Sequence, residues 1–165
     1  MSLRAAGMGD LSAIVALERT EAARRFVGQW PEERHRATMT GGDARYFVSE
    51  SETGEVVGYA ILRGLGEDNR AIELKRIVVG RPGGGLGRTI LTELVRIVFE
   101  ELKAHRLFLD VYEDNTRAQH LYESVGFQYE GVMRDAAQRD GVYFDLRLMS
   151  MLEGEYAARK TADAR

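Results

Sequence analysis

The sequence predicts a single-domain α/β fold with a mixed central sheet flanked by helices on both faces. Three observations predict it. Strand-like and helix-like periodicities follow one another in the order β-α-α-β-β-β-α-β-α-β-β. A glycine-rich turn, Arg81-Pro82-Gly83-Gly84-Gly85-Leu86-Gly87-Arg88, joins a strand-like run to a long helical one. A chain of 165 residues, 44% hydrophobic and 30% charged, has the size and composition of one globular core.

Residues 2–6 read as a short strand. Residues 8–26 read as one helix, with Leu11, Ile14, Val15 and Leu17 at near-helical spacing. Trp30-Pro31-Glu32-Glu33 starts a second helix, with proline at the first turn and acids behind it. Strands at 46–50 and 56–63 flank Ser51-Glu52-Thr53-Gly54-Glu55, a hairpin connection. After a turn at 64–70 comes the strand 72–79, then the glycine loop.

The helix expected at 86–103 shows Ile90, Leu91, Leu94, Val95, Val98 and Leu102, a wide apolar stripe suited to lie on a sheet. Residues 106–112 form a strand, and 116–125 a helix stopped by Gly126. Strands at 127–133 and 142–151 are joined by the polar segment 134–141. From Glu153 onward the composition suggests a fraying helical or disordered tail, so the expected domain spans residues 1–152 and the tail 153–165.

A formal net charge of −3 argues against nucleic-acid binding driven by bulk charge, and no apolar run reaches the length of a membrane helix. The first residues are too soon interrupted by Gly9-Asp10 for a signal peptide, so a cytoplasmic location is expected. Cysteine is absent, which removes disulfides, thiolate metal ligands and any cysteine nucleophile. His35, His105 and His120 lack metal-ligand spacing, so no metal is expected.

A glycine-rich turn between a strand and a helix lets backbone N–H groups converge on an anion at the positive end of the helix dipole. Gly85-Leu86-Gly87-Arg88 lacks the Gly-Lys-Ser/Thr of a P-loop, and the glycines do not fit G-x-G-x-x-G. Taken alone, the loop also fits a flexible connection without a ligand. Four glycines exceed what a turn demands, and glycines beside a helix start are explained by close approach of a ligand to the backbone.

Asn115 and Tyr122 stand two helical turns apart and share a face with Ala118. Asn115 also fits a helix cap, and Tyr122 a core stripe with Ala118, Leu121 and Val125. The pair of features is more telling than either one. The strand ending Ile77-Val78-Val79, the loop ending Gly85-Leu86-Gly87-Arg88 and N-T-R-A-x-x-L-Y-x-x-x-G-F from Asn115 to Phe127 together resemble the GCN5-related N-acetyltransferases (GNAT). The resemblance runs from Leu3 to about Leu152.

That resemblance implies the acyl-CoA N-acyltransferase fold and transfer of acetyl from acetyl-CoA to an amine. It implies that backbone groups of Ile77 and Val79, with Val78 between them, receive the pantetheine arm and the acetyl carbonyl. It assigns the pyrophosphate to N–H groups of Gly83, Gly84, Gly85, Leu86, Gly87 and Arg88. Asn115 and Ala118 would border the cofactor, Tyr122 would protonate the departing thiolate, and Glu73 would act as general base. The family's first loop position is here Pro82, which has no N–H to donate.

The chemistry agrees with those residue types. An alkyl ammonium, with a pKa of about 10.4, must lose a proton before it attacks a thioester. Glu73 fits that task, and fits equally a salt bridge with Lys75 or Arg76. Without cysteine, direct attack in a ternary complex is the simpler route, and orientation of the two substrates carries much of the rate. A non-catalytic acyl-CoA sensor and a phosphate-binding interaction module are the alternative functions.

On the same resemblance the acceptor would be an amine, either a small molecule or a protein N-terminus or lysine. The segments expected to face it are residues 22–39 and 134–143. Trp30 reads foremost as core. The C-terminal strands would be the place for a homodimer.

Overall fold

A computed structural model describes residues 2–165. Its strands are β1 (Ser2–Ala5), β2 (Ala44–Glu50), β3 (Val56–Arg63), β4 (Ala71–Val79), β5 (Arg106–Tyr112), β6 (Gln128–Arg139) and β7 (Val142–Leu152). They pair in the order β1-β2-β3-β4-β5-β7-β6. Every pairing is antiparallel except β4 with β5. The helices are α1 (Leu11–Glu18), α2 (Glu21–Arg24), α3 (Glu32–Thr40), α4 (Leu86–Arg96), α5 (Thr116–Val125) and α6 (Glu153–Asp163).

Apolar residues on opposite faces of the sheet build two cores. Phe47, Ala60, Leu62, Ile72, Leu74, Leu107 and Leu109 meet the stripe Ile90, Leu91, Leu94 and Val95 of α4, together with Tyr122 and Val125 of α5. On the other face, Tyr46, Val48, Tyr59, Ile61 and Val78 meet Ile14 and Leu17 of α1 and Trp30. The mixed sheet with helices on both faces is thus the fold expected from the sequence.

Two irregularities position the site. In β4, Leu74 pairs with Leu62 and Arg76 with Ile61, so Lys75 is an extra residue, a β-bulge. Leu74 therefore faces α4, while Arg76 and Val78 face α1, and Ile77 and Val79 return to the α4 side. In addition, β4 pairs with β5 only from Ala71 to Glu73, against Arg106 to Phe108. Beyond that point the two parallel strands run on unpaired to Val79 and Tyr112, leaving a fork.

The structure departs from the sequence expectation in four places. The helix expected at 8–26 is a 3-10 turn (Met8–Asp10) followed by α1 and α2. Thr20 breaks it: its hydroxyl donates to the Leu17 carbonyl at 2.9 Å and its backbone is extended. The helix expected at 86–103 ends in a π-helical segment, Ile97–Glu101, closed by Leu102 N–H to Ile97 O at 2.9 Å. The wider turn buries three successive apolar residues, Ile97, Val98 and Phe99.

Residues 134–141 are mostly strand rather than a loop. The hairpin turns tightly at Asp140-Gly141, both at positive φ, and bulges near Tyr129 and between Met133 and Ala137 absorb the polar residues. The tail is an ordered helix, α6. Tyr156 stacks on Phe99 at 5.1 Å, and its hydroxyl and the Lys160 ammonium both donate to Glu100, at 2.5 and 2.6 Å. No helix among the described residues is long and apolar enough to cross a membrane.

Candidate active site

The fork opens into a cavity of about 710 Å³. One wall is β4, with Lys75, Arg76, Ile77, Val78 and Val79. The opposite wall is β5 and α5, with Asp110, Tyr112, Asn115, Ala118 and Tyr122. Pro82 and Gly87 of the glycine loop close one end, and Phe26, Trp30 and Arg34 close another. Both acceptor-side segments expected from the sequence contribute, the second through Ala136 and Ala137.

The loop has the build of an anion cradle. Gly83 and Gly85 hold φ of 108° and 76°, which favours glycine, and a Cβ at Gly84 or Gly85 would meet nothing within 4 Å. The first helical bond of α4 is Thr89 N–H to Gly85 O, at 3.1 Å. The N–H groups of Leu86, Gly87 and Arg88 are therefore left over at the positive end of the helix. The guanidinium of Arg117 lies beside Gly83, 3.9 Å from where its Cβ would be. Arg88 points elsewhere, donating to Ser124 Oγ at 2.6 Å. These groups suit the pyrophosphate of coenzyme A, with Arg117 as the cation.

Asn115 and Tyr122 occupy positions that serve structure and cavity at once. Asn115 Oδ1 accepts the Ala118 N–H at 3.2 Å and so caps α5, leaving its amide NH2 as donor. Gly126 ends the helix at φ 117°. Tyr122 is buried to 7% exposure, packs edge-on against Phe127 and still lines the cavity. Burial, and then the nearby Asp110 carboxylate, push its phenol above the ordinary value.

Glu73 sits where the fork begins but does not line the cavity. Its Oε2 accepts from Arg63 Nε and Nη2, at 2.8 and 2.6 Å, and Oε1 lies 3.8 Å from Lys75 Nζ. Among the described residues, the carboxylate that lines the cavity is Asp110. It is open to solvent through the fork yet surrounded by protein on most sides. Burial raises its carboxyl; Lys75 and Arg63 lower it, and Glu73 raises it. The sequence carried a signal for it: Leu107, Leu109 and Val111 alternate inward, so Asp110 must point to the other face.

A buried polar network supports the cavity floor, and it too was missed from sequence. Glu18 accepts the Trp30 N–H at 3.1 Å, pairs with Arg76, and lies 3.0 Å from His35 Nε2. Tyr59 donates to it at 3.3 Å, and His35 Nδ1 is 2.9 Å from the Tyr46 hydroxyl. The Arg76 guanidinium lies 4.0 Å from the Trp30 ring centroid, and Arg34 also stacks on that ring at 4.0 Å. Trp30 is thus core, as expected, and cavity wall as well. His35 is fully buried, and burial, then Arg34, lower its pKa. Among the described residues, no three His, Asp or Glu side chains converge as metal ligands.

Comparison with known proteins agrees with this geometry. The profile of the acetyltransferase (GNAT) family matches residues 15–127. The spermidine N(1)-acetyltransferase of Vibrio cholerae is 28% identical over 167 residues, spanning 96% of either chain. A spermine/spermidine N(1)-acetyltransferase of Bacillus subtilis is 35% identical over 86 residues, 47% of this chain and 56% of that one. The crystal structure of the Vibrio cholerae spermidine N-acetyltransferase in complex with CoA and spermine superposes with a TM-score of 0.83, at 26% identity, covering 95% of this chain and 98% of that one. By profile, sheet and cavity, the chain belongs to the GNAT family and is an acetyl-CoA-dependent N-acetyltransferase.

Proposed function

We propose that the protein acetylates a small-molecule amine by direct attack on acetyl-CoA while both are bound. The observation that carries this reading is the continuous cavity. It runs from the anion cradle, past the unpaired edge of β4, to an aromatic end at Phe26, Trp30 and Tyr112. Two substrates entering from opposite ends meet where β4 and β5 part. The absence of cysteine favours direct attack over an acyl-cysteine intermediate.

The residues take the following roles in this proposal. Loop amides and Arg117 hold the pyrophosphate, and the free backbone edge at Ile77 and Val79 holds the pantetheine arm. Asn115 offers its NH2 beside the thioester. Asp110 receives a proton from the attacking amine as the N–C bond forms; its raised pKa makes it the stronger base. As the C–S bond breaks, Tyr122 gives its proton to the thiolate, and its raised pKa keeps that proton in place until then. Glu73 fixes Arg63 and Lys75 rather than taking the proton itself. A homodimer along β6, the C-terminal of the sheet's two edge strands, belongs to the same proposal, and light scattering checks it.

Spermidine and spermine enter as candidate acceptors through the relatives named for them. Acetyl-CoA-dependent thiol release with a panel of amines tests the proposal. Turnover with saturation in both substrates supports it. Tight CoA binding by calorimetry without thiol release from any amine would make the protein a sensor.

A further inference from the structure

We infer that the acceptor is a monoamine that also carries a carboxylate, and that Arg34 recognises that carboxylate. The inference rests on the reading of the cavity as the meeting place of acetyl-CoA and an amine. Its observation is the charge lining the acceptor end. Asp110 is the one carboxylate that lines the cavity among the described residues, whereas Arg34, Arg63, Lys75 and Arg76 all do.

Three of those cations are already answered. Arg63 and Lys75 share Glu73, and Arg76 is paired with Glu18. Arg34 has no carboxylate partner among the described residues. It is nonetheless placed, because its guanidinium stacks on Trp30 with the centroid 4.0 Å away. Trp30 is fixed in turn by Arg76 on the ring and by its N–H bond to Glu18. A guanidinium held by its face keeps its in-plane N–H groups free, and those form the fork that grips a carboxylate with two bonds.

The same lining disfavours a polyamine. One ammonium finds Asp110; each further ammonium meets cations with no second acid to receive it. An amino acid-like acceptor satisfies both ends: its amine at Asp110 and its carboxylate at Arg34, with Phe26, Val27 and Trp30 covering the apolar part between.

The test compares amino acids with their own amides, which present the same amine without the anion, and with spermidine. Thiol release from acetyl-CoA is followed on the full chain. Carboxylates should exceed their matched amides in kcat/KM by about ten- to hundredfold, the worth of a charged double hydrogen bond. In Arg34→Gln that ratio should collapse towards unity through KM, and Arg34→Lys should restore part of it. Arg34 is exposed, so both variants should melt with the parent protein. Spermidine as the best acceptor, or a ratio unchanged in Arg34→Gln, would overturn the inference while leaving the enzyme intact. Thiol release from no amine, with acetyl-CoA bound, would remove the acetyltransfer reading and the inference with it.

Discussion

Arg63 places two nitrogens on a single oxygen of Glu73, Nε at 2.8 Å and Nη2 at 2.6 Å. That clamp binds a carboxylate already close to Lys75 and leaves the cavity to Asp110. Glu73 accordingly has less to offer an incoming ammonium than its place in the sequence suggests.

Asp110→Asn should lower kcat by about a hundredfold or more, the usual worth of a positioned base. The residual rate should climb with pH as the amine deprotonates unaided. Because burial raises Asp110, the acid limb of the parent profile should lie above the ordinary aspartate range, activity falling as pH drops through it. Glu73→Gln should keep that limb and move it only slightly to lower pH, because the Glu73 charge raises Asp110. A limb that vanishes in Glu73→Gln and persists in Asp110→Asn would return the base role to Glu73.

Tyr122→Phe keeps the ring against Phe127 and removes only the hydroxyl. Turnover should fall by about a hundredfold while acetyl-CoA affinity is retained, as expected of a general acid. Stopped-flow turnover paired with calorimetry separates the two effects. Equal losses in both would mark the tyrosine as packing alone.

Arg117→Ala should weaken CoA by about tenfold, since a guanidinium beside a phosphate makes a charge-assisted bond. Arg88→Ala should change CoA affinity far less, because its guanidinium is taken by Ser124. Titration calorimetry of both variants reads the difference, which should shrink at high salt.

His35 gives stability a pH dependence of known sign. Burial lowers its native pKa below 6.5, so the unfolded chain binds a proton more readily. Its contribution is fully present above pH 6.5 and is lost as pH falls through the lowered native value. Thermal melts between pH 7.5 and 5 should show this loss, and His35→Gln should flatten it. The carboxylates whose pKa values are lowered, Asp10, Glu100, Glu130 and Glu153, act further down the scale.

What the sequence made legible was the periodic and the punctuated. The expected bounds of β3, β5 and α5 coincide with those observed, because Gly54, Gly64 and Gly126 mark their surroundings and their apolar patterns are clean. The glycine loop and the Asn115–Tyr122 face meet in one cavity only in part: Pro82 and Gly87 line it, whereas Gly83, Gly84, Gly85, Leu86 and Arg88 do not. Illegible were the features decided by tertiary contact. The Thr20 break rests on one side-chain bond, and Asp140-Gly141 was a hairpin signal submerged in polar residues. Asp110 and Glu18 became meaningful only once two strands separated and a tryptophan closed over a buried acid.

Lys75 is the supernumerary residue in β4. Strand side chains keep strict two-beat time, so one added residue inverts every later beat. Were Lys75 paired in regular register instead of bulged, Arg76 and Val78 would trade sides with Ile77 and Val79, putting a guanidinium into the hydrocarbon beneath α4 and stripping Glu18 of its counter-charge. A single inserted residue thus lets even-numbered positions of one strand serve the α4 core before it and the Trp30 side after it.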